Sequence, residues 1–398
     1  MRQTSPQQYK AEGHASEIDP AVLNNATTAM QCIASVNPQI FPLLTLKHLS
    51  FQTEVSYGFL RKVVAREAGR YRHIYFRKKV PGRRNVRMIS IPEDQLLACQ
   101  KWISENILKF GPPHQDSYAY HPGSNPVYAA WVHTESKWLI KVDIQDFFHA
   151  ISEHKVYKVF RSLGYSRLVS FELSRLCTMS CERCEADTAA EKYVEATIEH
   201  YYSPGVGILP QGAPTSPMLS NLVMKRFDAK LALLAGDNAM RFTRYADDIV
   251  FSCKDDRSRK EINRVKRFIL KALNDEGFRP NLRKTKVRGP GARKVVLGIF
   301  VNGKHLRLPR EYKDKIRQHL HYLTHPDFGP ASHAAARKTS ISRIYHHVFG
   351  LICWAKAVEP SFGVQAIETF NSVNWPPVSK LKFYKPPSVS EERSDVPL

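Results

Sequence analysis

The sequence predicts an α+β fold, in which strands and helices are followed by a helical carboxy-terminal region. Apolar residues make up 43% of the 398 residues and aromatic residues 11%, which is enough to bury a core. Alternating apolar and polar residues predict several strands before residue 302, and apolar residues at helical spacing predict helices over residues 309–358. A chain of this length is expected to form two or three lobes.

The elements are predicted in a definite order along the chain. Residues 1–60 form a helical region, and residues 71–92 form two strands around a turn at Pro81-Gly82. This ribbon is rich in Arg and Lys and has no acidic residue. The other predicted elements are helices over 94–110, 217–235, 258–276 and 309–358, a mostly helical stretch over 153–200, a buried strand that runs into a turn over 137–148, a strand over 294–301, a hairpin over 240–252, and a disordered tail over 386–398.

The charge of the chain indicates a polyanionic partner. Lys and Arg total 59 against 37 Asp and Glu, a formal net charge of +22. Such a surface repels itself, and the repulsion is relieved most directly by nucleic acid, with an acidic membrane surface as the second choice.

Membrane insertion and secretion are not expected. The longest apolar run, residues 348–355, is far below the roughly 20 residues of a spanning helix. The polar amino terminus lacks the apolar segment of a signal peptide, and the seven cysteines are an odd number. A reduced cytoplasm is therefore the predicted compartment.

Two adjacent aspartates, Asp247 and Asp248, are the strongest local signal of chemistry. Apolar and aromatic residues flank them on both sides, as expected for a hairpin that carries them at its turn. Adjacent carboxylates repel, and a hard cation such as Mg²⁺ would neutralise both. Taken alone, the pair is explained equally well as a solvated turn.

A third carboxylate, Asp143, favours the chemical interpretation. It follows the apolar segment Leu139–Val142, where an unpaired charge would be costly. Two Mg²⁺ ions about 3.5–4 Å apart, held by such carboxylates, assist phosphoryl transfer. Asp143 and Asp247 would bridge the ions and Asp248 would support them, whereas Asp146 is interpreted as a solvated residue at a helix start.

The segments DIQDFF (from Asp143), LPQGAPTSP (from Leu209) and YADD (from Tyr245) occur in the order found in the palm of reverse transcriptases. The chain resembles their bacterial retron-type and group II intron-like branch. Similar segments lie upstream, in KKVPGRRNVRMISIP, and downstream, in NLRKTK and VLG. This resemblance implies a right-hand polymerase fold with fingers over residues 61–135, a palm over 136–302 and a helical thumb over 303–385.

The resemblance also implies roles for individual residues. The metal ligands map onto Asp143, Asp247 and Asp248, and Phe148 onto the position that excludes ribonucleotides by blocking a 2′-hydroxyl. Further substrate contacts map onto Lys79 (with Lys78 as the alternative after a one-residue shift), Arg87, Gln211, Gly212 and Lys284. The cations of the ribbon would contact phosphates, and Lys284 would protonate the leaving pyrophosphate; each could instead be a solvated surface residue.

Two departures from the retron pattern concern the branch. The chain has AAWVH, ending at His133, where retron enzymes have N-A-x-x-H, and it has VLG, ending at Gly298, where they have V-T-G. A divergent retron enzyme or a related defence-associated reverse transcriptase fits both. An intron maturase fits worse, because the 96 residues after Asn302 would have to supply the thumb alone.

The predicted thumb carries many basic residues between apolar residues at helical spacing. We expect its apolar stripe (Ile316, Leu320, Leu323, Ile341, Ile344 and Val348) to pack inward and its cations to face RNA. The basic residues are Lys313, Lys315, Arg317, His319, His321, Arg337, Lys338, Arg343, His346 and His347, of which Arg337, Lys338 and Arg343 are the predicted RNA-binding set.

Members of the resembled group use dNTPs to copy a dedicated structured non-coding RNA into DNA, commonly in antiphage defence. The resemblance also implies an effector protein, encoded nearby, as a further partner. Two other functions stay open: template-independent nucleotide addition, and an inactive RNA-binding scaffold of the same fold. Cys177, Cys181 and Cys184, with His200, could form a zinc site, but the spacing lacks a second convincing pair of ligands.

Overall fold

The computed structural model describes residues 5–77, 86–180 and 206–377. The chain divides into two compact units. The amino-terminal unit contains the chain up to Leu297 together with Val301–Lys304, and the carboxy-terminal unit contains Gly298–Phe300 and the chain from His305 onward. None of the described helices is long and apolar enough to cross a membrane.

In the amino-terminal unit, helices precede, separate and follow the strands along the chain. Its helices are α1 (Pro6–Ala15), α2 (Pro20–Val36), α3 (Leu46–Thr53), α4 (Tyr57–Val64), α5 (Asp94–Asn106), α6 (Pro126–Trp131), α7 (Glu153–Ser162), α8 (Arg167–Cys177), α9 (Ser216–Asp237) and α10 (Arg259–Asp275). Its strands are β1 (Tyr71–Arg77), β2 (Val86–Pro92), β3 (Trp138–Asp143), β4 (Arg241–Tyr245), β5 (Asp248–Cys253), β6 (Lys286–Arg288) and β7 (Val295–Val296).

The main sheet is antiparallel, with strand order β4-β5-β3-β6. One of its faces, which includes Ile140, Val142 and Phe251, packs into the large apolar core. On the opposite face of β3, Leu139 and Lys141 precede Asp143 at alternate positions. Asp143 is the last residue of β3 and belongs to this second face. The core therefore holds β3 in place, while the carboxylate of Asp143 lies at the sheet edge.

The predicted basic ribbon forms an antiparallel pair, in which β1 pairs with β2 from Tyr71 opposite Pro92 to Arg77 opposite Val86. The turn predicted at Pro81-Gly82 lies outside the described residues. The helix predicted over 94–110 ends earlier, at Asn106, and a short 3₁₀ turn over Leu108–Phe110 follows it.

The single strand predicted over residues 294–301 was wrong. The chain forms β7 and then a separate short strand, β8 (Ile299–Phe300), and the two are interrupted at Leu297 and Gly298. Both interrupting residues have left-handed backbone conformations, with φ of 50° and 82°. A residue with positive φ cannot continue a pleated strand, so the strand ends here. The apolar run in the sequence gave no sign of this turn.

The carboxy-terminal unit contains β8 and four helices: α11 (Arg310–Thr324), α12 (Gly329–Ala336), α13 (Ile341–Val358) and α14 (Pro360–Asn371). Five of the six predicted apolar stripe residues are buried within this unit, namely Ile316, Leu320, Leu323, Ile344 and Val348. The predicted helical region over 309–358 is therefore confirmed, although it is divided into three helices.

The expectation that His319 is an RNA-facing cation was wrong. His319 is completely buried, and its Nδ1 lies 3.0 Å from Nε2 of His333. Burial, assisted by the charge of Arg337, lowers the pKa of His319 to about 4. The imidazole is consequently neutral near pH 7 and packs as part of the interior of the unit. Helical spacing could not distinguish this residue from its exposed neighbours.

Candidate active site

Three carboxylates meet at one edge of the main sheet. Asp143 ends β3 and lies directly opposite Asp248, the first residue of β5. Asp247 lies in the two-residue turn between β4 and β5, and its carbonyl oxygen accepts a hydrogen bond of 3.0 Å from the backbone N–H of Ile144. The pairing of β3 with the hairpin therefore brings together residues that are widely separated in sequence.

The charges of these carboxylates oppose one another. Asp143 is only 4% exposed, and Asp247 and Asp248 are half-buried. Burial, and then the charges of Asp143 and Asp248, raises the pKa of Asp247 above its usual value. A cation near this edge would stabilise the ionised form of all three groups.

Two lysines supply part of that positive charge. Nζ of Lys284 lies 2.8 Å from Oδ2 of Asp143, and Nζ of Lys141 lies 2.9 Å from Oδ2 of Asp248. Burial opposes the charged form of Lys284, but the hydrogen bond to Asp143 and the carboxylate charges outweigh burial and raise the pKa of its ammonium group. Asp247 has no ion pair with a lysine among the described residues.

The three carboxylates are suitable ligands for a divalent cation, but two of them are paired with lysines. Carboxylate oxygens are the hard ligands that Mg²⁺ prefers. In the described part of the chain, however, no group of three or more His, Cys, Asp or Glu side chains is already placed to hold a metal ion. The Lys284 ammonium group lies at Oδ2 of Asp143, so a metal ion that bound this oxygen would take its place.

Phe148 and the loop before α9 lie beside other predicted site residues. Phe148 is half-buried against the core, with its ring 6.3 Å from that of Tyr120. The carbonyl oxygen of Gln211 accepts a hydrogen bond of 2.7 Å from the N–H of Ser90. Gly212 has φ of 120°, and a Cβ there would lie 2.7 Å from a methyl group of Ile89, so the loop packs closely against β2.

The basic residues predicted for phosphate binding are only partly described. Arg87 is exposed on β2, and its charge acts on the hydroxyl group of Tyr120, which is also affected by Asp247. Arg87 is therefore within electrostatic reach of Tyr120. Lys78 and Lys79 lie outside the described residues.

Comparison with known proteins identifies the family. The family model described as reverse transcriptase (RNA-dependent DNA polymerase) matches residues 76–323, more than half of the chain. The chain belongs to the reverse transcriptases. It is 30% identical to the retron Ec86 reverse transcriptase of Escherichia coli over 278 residues, which cover 70% of this chain and 78% of that protein. It is 31% identical to the retron Mx65 reverse transcriptase of Myxococcus xanthus over 308 residues, covering 77% and 66%.

These relatives confirm that this is a retron-type reverse transcriptase, an RNA-directed DNA polymerase. The family match and the antiparallel sheet with its helices confirm the predicted α+β, right-hand polymerase fold. The narrower relation to group II intron enzymes stays a prediction. A foamy viral protease-reverse transcriptase in complex with double-stranded DNA is 15% identical, with a TM-score of 0.39, over 76% of this chain and 38% of that one.

Sequence reasoning missed a buried ion pair beneath the turn that carries Asp247. Arg244 is fully buried and binds both carboxylate oxygens of Asp228 on α9, at 2.6 and 2.7 Å. Its guanidinium group also donates to the carbonyl oxygen of Ala246 at 3.1 Å. Ala246 has φ of 56° in the turn, a conformation that favours glycine. Arg244 thus stabilises the unusual turn that presents Asp247.

The same buried network reaches two further elements. Arg244 donates to Asn221 of α9 at 3.1 Å and to Ser117 at 3.2 Å. Because α9 begins directly after the loop with Gln211 and Gly212, a continuous set of hydrogen bonds connects that helix with the hairpin of β4 and β5. The only signal in the sequence was an Arg at a position that alternation assigns to the apolar core.

A basic cavity of about 460 Å³ opens beside Asp143 and Asp248. Sequence reasoning selected only one of its cations. Lysine and arginine side chains dominate its lining: Lys141, Arg283, Lys284, Lys286, Arg288 and Arg293. Six cations next to two carboxylates make a surface that suits phosphate groups.

His133 and Cys177, which the sequence singled out, have structural surroundings. The buried His133 ring lies 2.7 Å from both Ser252 Oγ and Thr243 Oγ1, and burial lowers its pKa to about 3. Cys177 is buried, and burial raises its thiol pKa to about 12. The other proposed zinc ligands, Cys181, Cys184 and His200, lie outside the described residues.

Proposed function

We propose that Asp143, Asp247 and Asp248 hold two Mg²⁺ ions and form the catalytic centre for DNA synthesis. The convergence of three carboxylates at one sheet edge supports this proposal, since burial and mutual repulsion disfavour such a cluster without cations. Bound ions of this kind stabilise the attacking and leaving oxygens of phosphoryl transfer. A protein that served only as an RNA scaffold would have no use for the cluster.

In the proposed reaction, the 3′-oxygen of a primer attacks the α-phosphorus of a dNTP and pyrophosphate leaves. Asp143 and Asp247 would hold the metal ions, and Asp248, which is paired with Lys141, would support them. Lys284 is the proposed proton donor to pyrophosphate, because it lines the cavity beside Asp143 and Asp248 and its ammonium group retains its proton at neutral pH. The basic cavity beside these residues supplies further cations for the departing phosphates.

The decisive experiment removes the paired charges without changing their shape. The double variant Asp247→Asn, Asp248→Asn should lose Mg²⁺-dependent dNTP incorporation on an RNA template and retain a cooperative thermal transition. The matched control is Asp255→Asn, Asp256→Asn, an adjacent pair of exposed aspartates just after β5, which should incorporate dNTPs normally. Near-normal synthesis by the first variant would refute the catalytic assignment.

Phe148 is proposed to exclude ribonucleotides. Its ring is held against Phe147 and the core, and a fixed ring of this size would block a 2′-hydroxyl group. We expect Phe148→Ala to lower discrimination against rNTPs by about 10- to 200-fold. Competition between dNTPs and rNTPs in single-nucleotide addition measures this ratio, and an unchanged ratio would assign the selection to another residue.

The remaining substrate contacts are proposed by position. Arg87, with Lys79 on the same ribbon, would bind the triphosphate, and Gln211 with Gly212 would pack against the incoming base. The proximity of Arg87 to Tyr120, and the hydrogen bond of Gln211 to Ser90, support contacts on this side of the site. Arg87→Ala should raise the KM for dNTPs more than it lowers kcat, as steady-state kinetics would reveal; an unchanged KM would contradict the assignment.

We further propose that the template is a dedicated structured non-coding RNA, copied in a retron or related antiphage defence system with an effector protein encoded nearby. Retron relatives support this proposal, as does the carboxy-terminal unit. Arg337, Lys338 and Arg343 are all exposed there, while the apolar stripe is buried. Exposed cations over a packed helical core suit the backbone of an RNA duplex.

The RNA proposal is tested by charge reversal. RNA that co-purifies with the wild-type protein is sequenced, transcribed and used as the probe. Arg337→Glu, Lys338→Glu, Arg343→Glu should lose retention of this RNA at high salt, yet still extend an artificial primer–template. Reversal of three exposed cations on α10, Arg264, Arg267 and Lys271, is the control. Equal losses in the two variants would indicate a generic electrostatic effect.

A further inference from the structure

A group of exposed aromatic side chains lies next to the catalytic hairpin and has no role in the proposed reaction. Tyr120, Tyr128 and Trp131 are 40%, 52% and 54% exposed, respectively. Large aromatic side chains are normally buried for most of their area, so neighbouring exposed rings on one surface indicate a binding surface.

The backbone places two tyrosines in a row along β4. The N–H of Arg244 donates to the carbonyl oxygen of Asp116, and the N–H of Tyr118 donates to that of Arg244, both at 2.9 Å. Ser117 therefore forms an isolated parallel bridge with Arg244, and the chain bends just after it, at Ala119 and Tyr120. Ser117 and Ala119 are buried, whereas Tyr118 and Tyr120 are not, as side-chain alternation requires.

The rings form a path that ends at the active site. Trp131 stacks on Tyr128 at a centroid distance of 5.8 Å and an interplanar angle of 15°, and Tyr128 lies 5.7 Å from Tyr118. Tyr120 then lies 6.3 Å from Phe148 and 6.5 Å from Tyr245. We call Trp131, Tyr128, Tyr118 and Tyr120 the aromatic track.

The backbone at the inner end of the track is strained. Tyr120 has φ of 66°, a left-handed conformation that is costly for a residue with a side chain and that concentrates at functional sites. Burial and the charge of Asp247 raise the pKa of Tyr120 to about 12. Its phenol is therefore neutral and can lie close to a polyanion without charge repulsion.

We propose that the aromatic track binds the unpaired RNA template as it approaches the active site. Bases in a duplex are already stacked on one another, so exposed rings are useful only to an unpaired strand. At a polymerase site the primer end is paired, and the unpaired strand is the template that remains to be copied. The proposal rests on the proposed catalytic role of Asp247 in one respect only: that role identifies which end of the aromatic track lies at the active site.

Charge near the track supports a nucleic-acid strand as the occupant. Arg241 is exposed, and its guanidinium group donates to the carbonyl oxygen of Val132 at 2.7 Å, just after α6. Arg87 lies near the opposite end, within electrostatic reach of Tyr120. Cations near both ends can contact phosphates while the rings stack on the bases, an arrangement that tolerates any sequence.

The test compares two probes that differ only in an unpaired segment. One is a DNA-primed RNA template with a 5′ RNA overhang of about ten nucleotides, and the other is the same duplex with a blunt end. Tyr128→Ala, Trp131→Ala should weaken binding of the overhang probe by about tenfold for each base that no longer stacks on a ring, and leave binding of the blunt probe unchanged. Tyr128→Phe, Trp131→Phe keeps the rings and should restore the preference.

Two controls keep the result interpretable. Phe51→Ala, Phe268→Ala removes two exposed rings from α3 and α10 and should not alter either affinity. Asp247→Asn, Asp248→Asn should keep the preference for the overhang, which separates failure of the track from failure of the catalytic assignment. Equal weakening on both probes would make the track a duplex contact, and no weakening would show that the rings bind no strand; either result overturns the proposal.

Discussion

Two ion pairs near the hairpin of β4 and β5 differ sharply in their surroundings. Arg244 and Asp228 are completely excluded from solvent and share two short hydrogen bonds. Lys284 and Asp143 share one contact of 2.8 Å, and the Lys284 side chain is 58% exposed. The Arg244–Asp228 pair is a fixed part of the scaffold. When the Lys284–Asp143 pair opens, in contrast, water can solvate the charge of the lysine.

The difference explains how one site can be rigid and still exchange cations. Loss of one partner of a buried pair strands the other charge in a low-dielectric interior, so the Arg244 pair has no accessible open state. An exposed ammonium group is resolvated when its contact breaks, whereas the buried Asp143 carboxylate then needs another cation. The hairpin geometry could therefore stay constant if Lys284 gave up its place at Asp143 to the proposed metal ion.

The largest expected effect comes from breaking the buried pair. Asp228→Asn leaves the Arg244 charge without its carboxylate and should lower the free energy of unfolding by about 3–5 kcal/mol. Urea denaturation monitored by circular dichroism measures the change. Asp256→Asn, which removes the exposed partner of Lys137, is the control and should cost less than about 1 kcal/mol. Similar losses in the two variants would remove the distinction between the pairs.

A smaller effect is expected from removing the lysine of the Lys284–Asp143 pair. Lys284→Ala removes the ammonium group that competes with a cation for Asp143, so the Mg²⁺ concentration for half-maximal binding should fall by about three- to tenfold. Isothermal titration with Mg²⁺ measures this directly, and dNTP incorporation should fall in the same variant because the proton donor is lost.

Lys286→Ala is the matched control for that experiment. Lys286 lines the same basic cavity but has no ion pair with a carboxylate among the described residues. Its Mg²⁺ affinity should stay closer to that of the wild-type protein. A Lys284→Ala protein with weaker Mg²⁺ binding would mean that the lysine assists the metal rather than competes with it.

The smallest effect concerns the carboxylate that lacks a lysine partner. The pKa of Asp247 is raised in the folded protein, so its charge opposes folding at neutral pH, and this penalty disappears as pH falls through the folded pKa. Asp247→Asn should therefore raise the free energy of unfolding at pH 7 in the absence of metal, by about 0.5 kcal/mol or more. Denaturation at pH 7 and near pH 3 tests the sign, and a gain that grows at acid pH would contradict it.

Local pattern was sufficient for much of the fold and for the carboxylates. Alternation predicted β3 and the hairpin, and helical spacing predicted α9, α10 and the carboxy-terminal helices, because each pattern reflects which side of a single element meets the core. Asp143, Asp247 and Asp248 could be selected for the same reason. Each interrupts an apolar segment at the point where a strand ends, and a charge at such a place needs a partner.

The partners of these charges were decided by tertiary structure. Lys141 and Lys284 look like ordinary solvated lysines in the sequence, and only the pairing of β3 with β5 and the path of the chain after α10 bring them to Asp248 and Asp143. The same holds for Arg244, whose carboxylate comes from α9. Sequence patterns report periodicity along one element, whereas an ion pair depends on the distance between two elements.

Burial of individual polar residues and the course of short connections were likewise settled only in three dimensions. His319 shares its helical spacing with solvated neighbours, yet it faces His333 in the interior of its unit. Leu297 occurs in an apolar run but adopts a left-handed conformation that ends the strand. In both cases the deciding contacts come from residues distant in the chain or from a backbone angle, and neither is encoded in the alternation of apolar and polar residues.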